Sequence, residues 1–227
     1  MDSVKNYVRS RTTYAFRRAV RQVGMECRMW LRHRAAVRKA ARFLGSSPLK
    51  LNLGCGANRK SGWVNIDFYH SSSDLQLDLR EPWPFPEASV AYIYCEHVFE
   101  HFQFEIEVPH VLSEALRVLV PQGVFDIGVP DTEWPLRQYG NPDLDYWPFA
   151  ATVHPETCET QLDHINWHFR QDEEHKYAWD EVTLTRSLER AGFVSIERRP
   201  FNPALDSEGR KTGTLYMRAL KPRVSVS

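Results

Sequence analysis

A short apolar run that ends in a glycine pair is the feature that most constrains the fold of this 227-residue chain. Residues 49–53 alternate Leu with Lys and Asn, which is typical of a strand, and Gly54-Cys55-Gly56 follows directly. Glycines let the backbone turn sharply and allow a ligand to approach the main chain without meeting a side chain. The pattern therefore predicts a strand whose carboxyl end opens into a ligand-binding turn.

Short apolar runs alternate with helical stretches along most of the chain. The predicted strands are residues 49–53, 63–67, 75–79, 90–94, 124–129, 194–198 and 214–220. Helices are predicted near residues 108–119 and 180–191, the second ending at Gly192, and residues 121–123 are predicted to form a tight turn. Strands that alternate with helices favour a mostly parallel sheet with helices on both faces. We therefore predict an α/β fold with seven strands.

Composition restricts the class of protein further. With 42% apolar and 26% charged residues, the chain can form one globular domain with a core, which excludes disorder throughout. No apolar run is long enough to predict a membrane-spanning helix, and the N-terminus lacks the apolar segment of a secretory signal. The four cysteines form no CxxC pair, so a reducing compartment is favoured over a disulfide framework or a zinc ribbon. We expect a cytoplasmic protein.

The basic residues are concentrated in the first 45 positions. This segment has twelve Lys or Arg and two acids, whereas residues 46–227 have 17 basic and 27 acidic residues, so the two parts carry +10 and −10. Apolar residues such as Phe16, Val20 and Trp30 recur at helical spacing in residues 1–45. The sequence predicts a basic amphipathic helical extension over 1–45 and a separate domain over 46–227.

Three alternatives stay open for the extension. Our default is that its apolar stripe packs on the domain or on a second subunit, which would make a homodimer. The stripe can instead lie on an anionic membrane surface, with Phe16 and Trp30 inserted, which would bring the protein to the inner face of the membrane. The arginines can also contact nucleic acid. An organellar transit peptide has a similar composition, but Asp2 and the length of the segment argue against it.

Two acids follow the next predicted strands. Asp67 stands eleven residues past Gly56, at the end of strand 63–67, where a carboxylate can accept hydrogen bonds from both hydroxyls of a ribose. Asp78 lies near the end of strand 75–79 and can reach an adenine edge. Because the carboxyl ends of parallel strands meet at one edge of the sheet, the spacing predicts a site for an adenosine-bearing ligand. The alternative is a glycine turn followed by two ordinary strand-end acids.

Residues 51–131 resemble the class I S-adenosylmethionine-dependent methyltransferases, most closely a branch of small, type 11-like methyltransferases with Asn-Leu-Gly-Cys-Gly at the first strand. The motifs that carry the resemblance are Gly-Trp-Val-Asn-Ile-Asp at 62–67, Pro-Phe-Pro at 84–86, Glu-His-Val-Phe-Glu-His at 96–101, the stretch 115–123, and Val-Pro-Asp at 129–131. Further matches at 175–177, 183–184 and 191–193 extend the likeness over about residues 49–200. The resemblance implies a Rossmann-like sheet with an antiparallel last strand, and S-adenosylmethionine as cofactor.

The resemblance also implies which residues hold the cofactor. They are Asn52, Gly54, Cys55, Gly56, Asp67, Asp78, Leu79 and Glu96. Within this set the glycines would line the methionine and ribose, and Asp67 would hold the ribose hydroxyls. Asp78 and Leu79 would border the adenine, and Glu96 would begin the loop under the sulfonium. Asn52 departs from the family, since many relatives carry an acid at that position.

Methyl transfer to a hydroxyl or an amine requires removal of a proton, and histidine suits this because its pKa lies near neutrality. His97 and His101 follow the fourth predicted strand at i, i+4 spacing, and His175 is a later candidate. Asp131 follows the fifth predicted strand and can orient an acceptor hydroxyl. We predict that His97, His101, Asp131 and His175 are the catalytic candidates.

Residues 131–175 interrupt the alternation and predict an insertion on the substrate side. Its aromatic side chains can stack on a sugar ring or another flat acceptor, although we expect at least half of them to form a local core. His164 and His168 have the i, i+4 spacing of a metal-binding pair, and Cys158 or His154 could fold near them. Because no third ligand stands at a convincing spacing, we predict no metal site.

The leading hypothesis is a methyltransferase that acts on a small-molecule or glycan acceptor, most simply at an oxygen, with polysaccharide biosynthesis as the context by analogy. A nucleic-acid methyltransferase is the second hypothesis, prompted by the arginine-rich extension. Base-directed enzymes usually carry an Asn/Asp-Pro-Pro-aromatic motif after the fourth strand, where this chain has Cys-Glu-His at 95–97. The third hypothesis is a binding protein that has lost catalysis, prompted by Asn52.

Overall fold

The sheet of the protein has six strands in the computed structural model, which describes residues 11–45, 48–142 and 144–223. The strands are β1 (Leu49–Leu53), β2 (Val64–Ile66), β3 (Val90–Glu96), β4 (Leu119–Pro130), β5 (Val194–Arg198) and β6 (Thr214–Leu220). Their order is β2-β1-β3-β4-β6-β5, with β1 to β4 parallel and β6 antiparallel to both of its neighbours. The predicted Rossmann-like sheet with an antiparallel last strand is confirmed.

Two local predictions for the sheet are wrong. Residues 75–79 form no strand, because β2 is only three residues long and Leu75 alone bridges to Ile66. Leu75, Leu77 and Leu79 are nevertheless buried, so the apolar residues of this stretch contribute to the core rather than to a ladder of hydrogen bonds. The predicted turn at 121–123 is instead part of β4, where Gln122 takes a positive φ of 64° and the register with β3 shifts. The strand therefore bends without being interrupted.

Six helices surround the sheet in the described part of the chain. They are α1 (Tyr14–Ala40), α2 (Glu107–Val118), α3 (Glu133–Gln138), α4 (Tyr146–Val153), α5 (Gln161–Arg170) and α6 (Glu181–Ala191). Helix α6 begins where the Asp180 side chain accepts a hydrogen bond from the Thr183 N–H, and it ends at Gly192 with a φ of 100°. An acidic cap and a left-handed glycine are common helix-ending devices, which is why the sequence predicted this helix closely.

The insertion has a small core of its own, separate from the main core of the sheet. We call Tyr146, Trp147 and Ala150 the satellite core, and Trp134 and Phe149 pack against it. The main core fills the space between the sheet and helices α2 and α6. Most of the predicted aromatic surface of the insertion is therefore internal packing, as expected for at least half of it.

Helix α1 packs on the domain through a face that the sequence analysis did not select. Met29, Ala36 and Ala40 are its buried residues, and the small alanines allow a close approach to the core. Two polar contacts hold the helix in place: the Arg80 guanidinium lies 3.5 Å from the Glu26 carboxylate, and Arg18 lies 2.5 Å from Glu173.

The predicted apolar stripe of α1 points away from the domain. Phe16, Val20, Val23, Trp30 and Leu31 are all more than half exposed. The expectation that this stripe packs on its own domain is therefore wrong, since the alanine-containing face takes that place. Residues 1–10 of the predicted extension lie outside the described residues. Along the described residues, no helix combines the length and the apolar character that a membrane crossing requires.

Candidate functional site

The turn after β1 has the backbone geometry that its glycines predict. Gly54 has a φ of 61°, and a Cβ added there would collide with the Val98 side chain. Gly56 has a φ of 48°, and a Cβ there would meet no atom within 4 Å. Gly54 is thus required by packing and backbone conformation, whereas Gly56 presents an open face. The open face is where a ligand can approach the main chain.

Asp67 lies against this turn, as its spacing in the sequence suggests. Its Oδ2 accepts a hydrogen bond from the Gly56 N–H at 2.8 Å. Its Oδ1 accepts from the Tyr69 and His70 N–H groups at 2.8 and 2.7 Å. An ionised carboxylate has about four acceptor positions, so one remains for a ligand hydroxyl. Asp67 therefore fixes the turn and still has capacity to bind a ribose.

Asn52 and Cys55 are structural residues in this geometry. The Asn52 amide donates to the Asn58 carbonyl and to Asn65 Oδ1, both at 2.9 Å, which ties β1 to β2 and to the turn. Cys55 is buried, and burial, together with the nearby Asp67 charge, raises the pKa of its thiol to about 11. The thiol is therefore protonated at neutral pH and is a poor nucleophile.

Asp78 and Leu79 lie beneath α1. Asp78 accepts hydrogen bonds from the Arg80 backbone N–H at 3.0 Å and from its guanidinium at 3.0 and 2.8 Å. Burial alone would raise the pKa of Asp78, but these bonds outweigh it and hold the pKa below its usual range. Leu79 is part of the main core. Both carboxylate oxygens of Asp78 already face Arg80, so its predicted contact with adenine would require that pair to adjust.

Glu96, the last residue of β3, is held by the segment that joins β5 to β6. We call residues 202–213 the closing segment. The Glu96 carboxylate accepts from the Ser207 hydroxyl at 2.5 Å and from the Ser207 N–H at 3.2 Å, and the Tyr216 hydroxyl adds a bond at 3.1 Å. The Arg210 guanidinium donates to the Glu96 carbonyl at 2.9 Å. The closing segment thus covers the carboxyl ends of the strands beside the glycine turn.

The space left beneath the closing segment is small. A cavity of about 10 Å³, lined among others by Gly54, Tyr94, Glu96 and Arg210, is roughly large enough for one water molecule. The Tyr94 hydroxyl is buried and has no hydrogen-bond partner among the described residues. A larger cleft, of about 350 Å³, lies between residues 59–63 and 203–206. The closing segment forms a wall of both spaces.

These residues suit an adenosine-bearing cofactor, although the space does not yet admit one. The open face of Gly56, the remaining acceptor position of Asp67 and the unpaired Tyr94 hydroxyl can each meet a polar ligand. Pockets for ligands of this size usually enclose about 300–1,000 Å³. The cavity at the strand ends is far below this range and the neighbouring cleft is within it, so we expect the closing segment, which borders both, to shift when the cofactor binds.

Three of the predicted catalytic residues come together on the other side of Val98, around a residue that the sequence analysis did not select. We call His97, Glu100, His101 and His175 the histidine cluster. The Glu100 Oε1 lies 3.6 Å from His97 Nδ1 and 4.0 Å from His101 Nε2, and the His101 and His175 ring centres are 5.2 Å apart. Glu100 is 1% exposed, and its Oε2 has no hydrogen-bond partner among the described residues. The sequence could have indicated Glu100, because it lies between His97 and His101 in the motif Glu-His-Val-Phe-Glu-His at 96–101.

The main chain fixes the tautomers of two of these histidines. His101 Nδ1 contacts the Glu174 carbonyl at 3.1 Å, and His175 Nδ1 contacts the His168 carbonyl at 2.8 Å. A carbonyl can only accept, so each Nδ1 carries the proton and each neutral ring has its lone pair on Nε2. The geometry therefore presents two unprotonated imidazole nitrogens close to Glu100.

His97 has the opposite tautomer and a different role. Its Nε2 lies 2.8 Å from the Thr214 hydroxyl, which itself donates to the Arg210 carbonyl at 2.6 Å, so Nε2 must be the donor. Burial, with the nearby Arg210 charge, lowers the pKa of His97 to about 3. So weak a base cannot efficiently accept a proton at neutral pH. His97 is therefore a poor general base. By geometry, His101 and His175 are the remaining candidates of the cluster, and burial lowers the pKa of His175 as well.

Burial raises the pKa of Glu100 to about 8. The surrounding imidazole lone pairs offer a carboxylate no stabilising donor, which agrees with this direction. Glu100 is therefore a neutral acid at pH 7 and titrates just above it. A titratable group with a strongly shifted pKa in a polar cluster is a common mark of a functional site.

Asp131 is not part of this cluster. Its Oδ1 accepts a hydrogen bond from the Glu133 N–H at 3.1 Å near the start of α3, and its Oδ2 lies 3.3 Å from the Arg198 guanidinium. These two contacts leave acceptor positions on the carboxylate, so its role in orienting an acceptor stays a prediction.

The comparison with family models identifies the family of the chain. Residues 24–198, more than three quarters of the chain, match the model of a family described as a methyltransferase domain. No curated protein matches the chain significantly in sequence.

Three solved structures illustrate the likeness. A Haloferax volcanii complex between the Trm112 methyltransferase activator and a methyltransferase contains a chain with 18% identity, a TM-score of 0.45 and coverage of 92% of this chain and 97% of that one. A SAM-dependent methyltransferase from Thermotoga maritima has 15% identity, a TM-score of 0.48 and coverage of 88% and 96%. A SAM-dependent methyltransferase from Archaeoglobus fulgidus has 14% identity, a TM-score of 0.47 and coverage of 82% of this chain and 92% of that one. On the family match, the chain belongs to the methyltransferase-domain family and is an enzyme that uses S-adenosylmethionine.

Proposed function

We propose that this methyltransferase transfers the methyl group to a hydroxyl of a small-molecule or glycan acceptor that binds against the histidine cluster. The observation that carries the proposal is the pair of unprotonated Nε2 atoms of His101 and His175 beside the buried Glu100. Val98 joins this cluster to the glycine turn, since its side chain packs directly on Gly54. An acceptor at the cluster would therefore lie next to the cofactor site.

The chain's contribution to the reaction is proton removal and positioning. S-adenosylmethionine, when bound, supplies an electrophilic methyl group. Transfer of that methyl group to the acceptor oxygen would break its bond to sulfur and leave adenosylhomocysteine. His101 would take the hydroxyl proton on Nε2, while its Nδ1–H stays bonded to the Glu174 carbonyl. The His101 side chain is 37% exposed, so an acceptor can reach it from solvent and the proton can leave the same way. A general base of this kind contributes about 10²–10⁴-fold in rate.

The insertion supports a flat or sugar-like acceptor. Tyr146 and Trp147 belong to the satellite core and are not available for stacking. Trp167 and Phe169 of α5 are partly exposed, and Tyr139 is 54% exposed. Exposed aromatic faces suit a sugar ring or another flat molecule, because stacking requires little specific hydrogen bonding. We therefore retain a role in polysaccharide or related small-molecule pathways as part of the proposal.

Helix α1 supports a place at the inner, anionic face of a membrane. Its exposed apolar stripe has Phe16, Trp30 and Leu31 on one side of the helix, and exposed arginines such as Arg28 and Arg32 adjoin it. An amphipathic helix with apolar aromatics and flanking arginines binds anionic lipid surfaces. A cytoplasmic enzyme held in this way would meet acceptors that are linked to lipid.

The acceptor proposal is tested by His101→Ala. The purified protein is incubated with methyl-labelled S-adenosylmethionine and fractions of a cell lysate, and the labelled products are separated. We expect kcat to fall about a hundredfold because a general base is lost, while adenosylhomocysteine affinity stays unchanged. His110→Ala, on α2 and outside the cluster, is the matched control. If kcat is unchanged in His101→Ala, His101 is not the general base. If the labelled product is RNA or DNA, the acceptor is a nucleic acid and not a small molecule or glycan.

The membrane proposal is tested by flotation with vesicles. We expect binding to vesicles that contain phosphatidylserine, weaker binding to pure phosphatidylcholine, and loss of binding in Leu31→Glu. Leu136→Glu changes an equally exposed leucine on α3 and is the matched control. Equal binding by both variants, or a concentration-dependent dimer that Leu31→Glu dissociates, would contradict the membrane proposal and favour a second copy of the chain.

A further inference from the structure

Three metal-ligating side chains meet within the insertion, away from the histidine cluster. His154 caps the end of α4, Cys158 lies in the connecting turn, and His164 is on the first turns of α5. One ligand atom from each lies within 4.8 Å of the other two, and the two Nδ1 atoms are 3.0 Å apart. His164 is buried, and the other two are partly exposed. Two imidazoles and a thiol are the donor types that Zn²⁺ prefers.

We propose that His154, Cys158 and His164 form a zinc site that joins α4 to α5. With Zn–N distances of about 2.0–2.1 Å and a Zn–S distance of about 2.3 Å, a tetrahedral site has N···N and N···S edges of about 3.3 and 3.6 Å. The 3.0 Å separation of the two nitrogens is within a few tenths of the first edge. The N···S separations are within 4.8 Å, so the Cys158 side chain would have to approach the two nitrogens by up to about 1.2 Å to close the site. Three protein ligands leave one position for water.

A hydrogen bond between the two histidines explains less of the geometry. If one Nδ1 donates to the other, the short contact is accounted for, but the convergence of Cys158 is not. The recorded hydrogen bond of the Cys158 thiol is a long one, 3.8 Å to the Asp163 carbonyl. A metal ion accounts for all three side chains at once.

A metal ion at this site would also stabilise the fold of the insertion. Its satellite core has only three buried residues, which is little apolar burial for three short helices. A zinc ion that bridges two helices adds binding free energy to the folded state. The His168 carbonyl, on the same helix α5, is the group that fixes the tautomer of His175. The metal would therefore hold in place a helix on which the histidine cluster depends.

The sequence analysis predicted no metal site because His164 and His168 had no third ligand at a convincing spacing, although Cys158 and His154 were named as residues that could fold near. His168 lies apart from the proposed site: its Nε2 is 3.3 Å from the Thr132 hydroxyl and its Nδ1 is 3.4 Å from the Tyr146 hydroxyl. The pair that converges is His154 and His164, which are ten residues apart and meet only because α4 and α5 fold back on each other. Helical spacing alone could not identify it.

The test measures metal on the full chain without a polyhistidine tag. The protein is stripped with a chelator, dialysed against micromolar Zn²⁺ and analysed by mass spectrometry of metals; Co²⁺ replaces zinc for absorption spectroscopy. We expect about one zinc per chain and a thiolate-to-cobalt charge-transfer band. Cys158→Ser, a partly exposed position that tolerates a small change, should lose the band and bind zinc at least about a hundredfold more weakly.

Two controls locate the ion. Cys27→Ser removes an exposed cysteine of α1 and should keep the metal and the band. His101→Ala removes a ligand of the other group of potential metal ligands and should also keep them. Substoichiometric zinc in the wild type, equal affinity in Cys158→Ser, or loss of zinc in His101→Ala overturns the proposal. No cofactor or acceptor is present in these measurements, so their failure leaves the proposed methyl-transfer reaction intact.

Discussion

Two glutamates four residues apart divide the candidate site into halves with opposite character. Glu96 ends β3 on the cofactor side, and both of its carboxylate oxygens accept hydrogen bonds from Ser207 or Tyr216. Glu100 stands on the acceptor side, where its Oε1 faces the imidazoles of His97 and His101. The closing segment covers the cofactor side through its hydrogen bonds to Glu96. On the acceptor side, Glu100 Oε2 has no hydrogen-bond partner among the described residues.

The difference indicates which half must change during turnover. Ser207 alone contributes three hydrogen bonds to the closed arrangement, two to Glu96 and one with the Asn58 amide. At about 1 kcal/mol each, opening costs roughly 3 kcal/mol, which would weaken apparent cofactor affinity about a hundredfold. In the acceptor half, hydrogen bonds from Nδ1 to main-chain carbonyls already orient His101 and His175. Cofactor binding is therefore expected to be the conformational step and proton transfer the preorganised one.

The largest effect is expected at Asp67, because one substitution there should abolish cofactor binding. Asp67→Ala removes the acceptor of three backbone N–H groups and the ribose contact. We expect adenosylhomocysteine binding to be lost in calorimetry and the free energy of unfolding to fall by about 2 kcal/mol. Asp67→Asn keeps one acceptor oxygen, so its losses of binding affinity and of unfolding free energy should both be smaller. Wild-type binding by Asp67→Ala would show that the cofactor does not use this turn.

Glu100→Gln sharpens the comparison from the acceptor side. The pKa of Glu100 is raised from its ordinary value to about 8 in the folded protein, so between about pH 4.5 and 8 the folded state holds a proton that the unfolded state has lost. The free energy of unfolding of the wild type must then fall as pH rises through this window. Glutamine cannot ionise, and it lacks this dependence.

We therefore expect Glu100→Gln to be more stable than the wild type at pH 9, by an amount on the order of a few kcal/mol, and to lose that advantage by pH 5. Urea unfolding at the two pH values measures this. The charged and titratable groups near Glu100 are His97, His101, His175, Glu96 and Arg210. His175→Ala retains Glu100, so it should retain the pH dependence of the wild type if Glu100 is the source. An identical pH dependence in Glu100→Gln would contradict the assignment.

The sequence predicted best where the signal is local. The strands Val194–Arg198 and Thr214–Leu220 have the bounds that their apolar runs predict, and α6 ends at Gly192 as its cap predicts. The sequence also predicted the contact between the glycine turn and Asp67, because Gly56 and Asp67 are only eleven residues apart. These features depend on backbone conformation and on the short connection between neighbouring parallel strands, which a sequence pattern encodes directly.

The parts that escaped prediction depend on distant contacts. Glu96 and Ser207 are 111 residues apart, and no periodic pattern connects them. The orphaned oxygen of Glu100 results from burial beneath residues 174–177, whose main chain bonds to the 3₁₀ turn at Phe99–His101. The helices of the insertion were missed because their apolar residues surround a three-residue core rather than forming a long stripe. Tertiary packing decided each of these features.

The smallest effect is expected at Ser207, and its sign separates two roles for the closing segment. If the segment only competes with the cofactor, Ser207→Ala removes two hydrogen bonds that must break before binding, about 2 kcal/mol in all, and adenosylhomocysteine affinity should rise about thirtyfold. Ser61→Ala, a serine at the edge of the neighbouring cleft, is the matched control and should leave the affinity unchanged. Titration calorimetry of both variants provides the measurement. A fall in affinity would mean that Ser207 also holds the bound cofactor, and the two halves of the site would then both be preorganised for their ligands once the segment has opened.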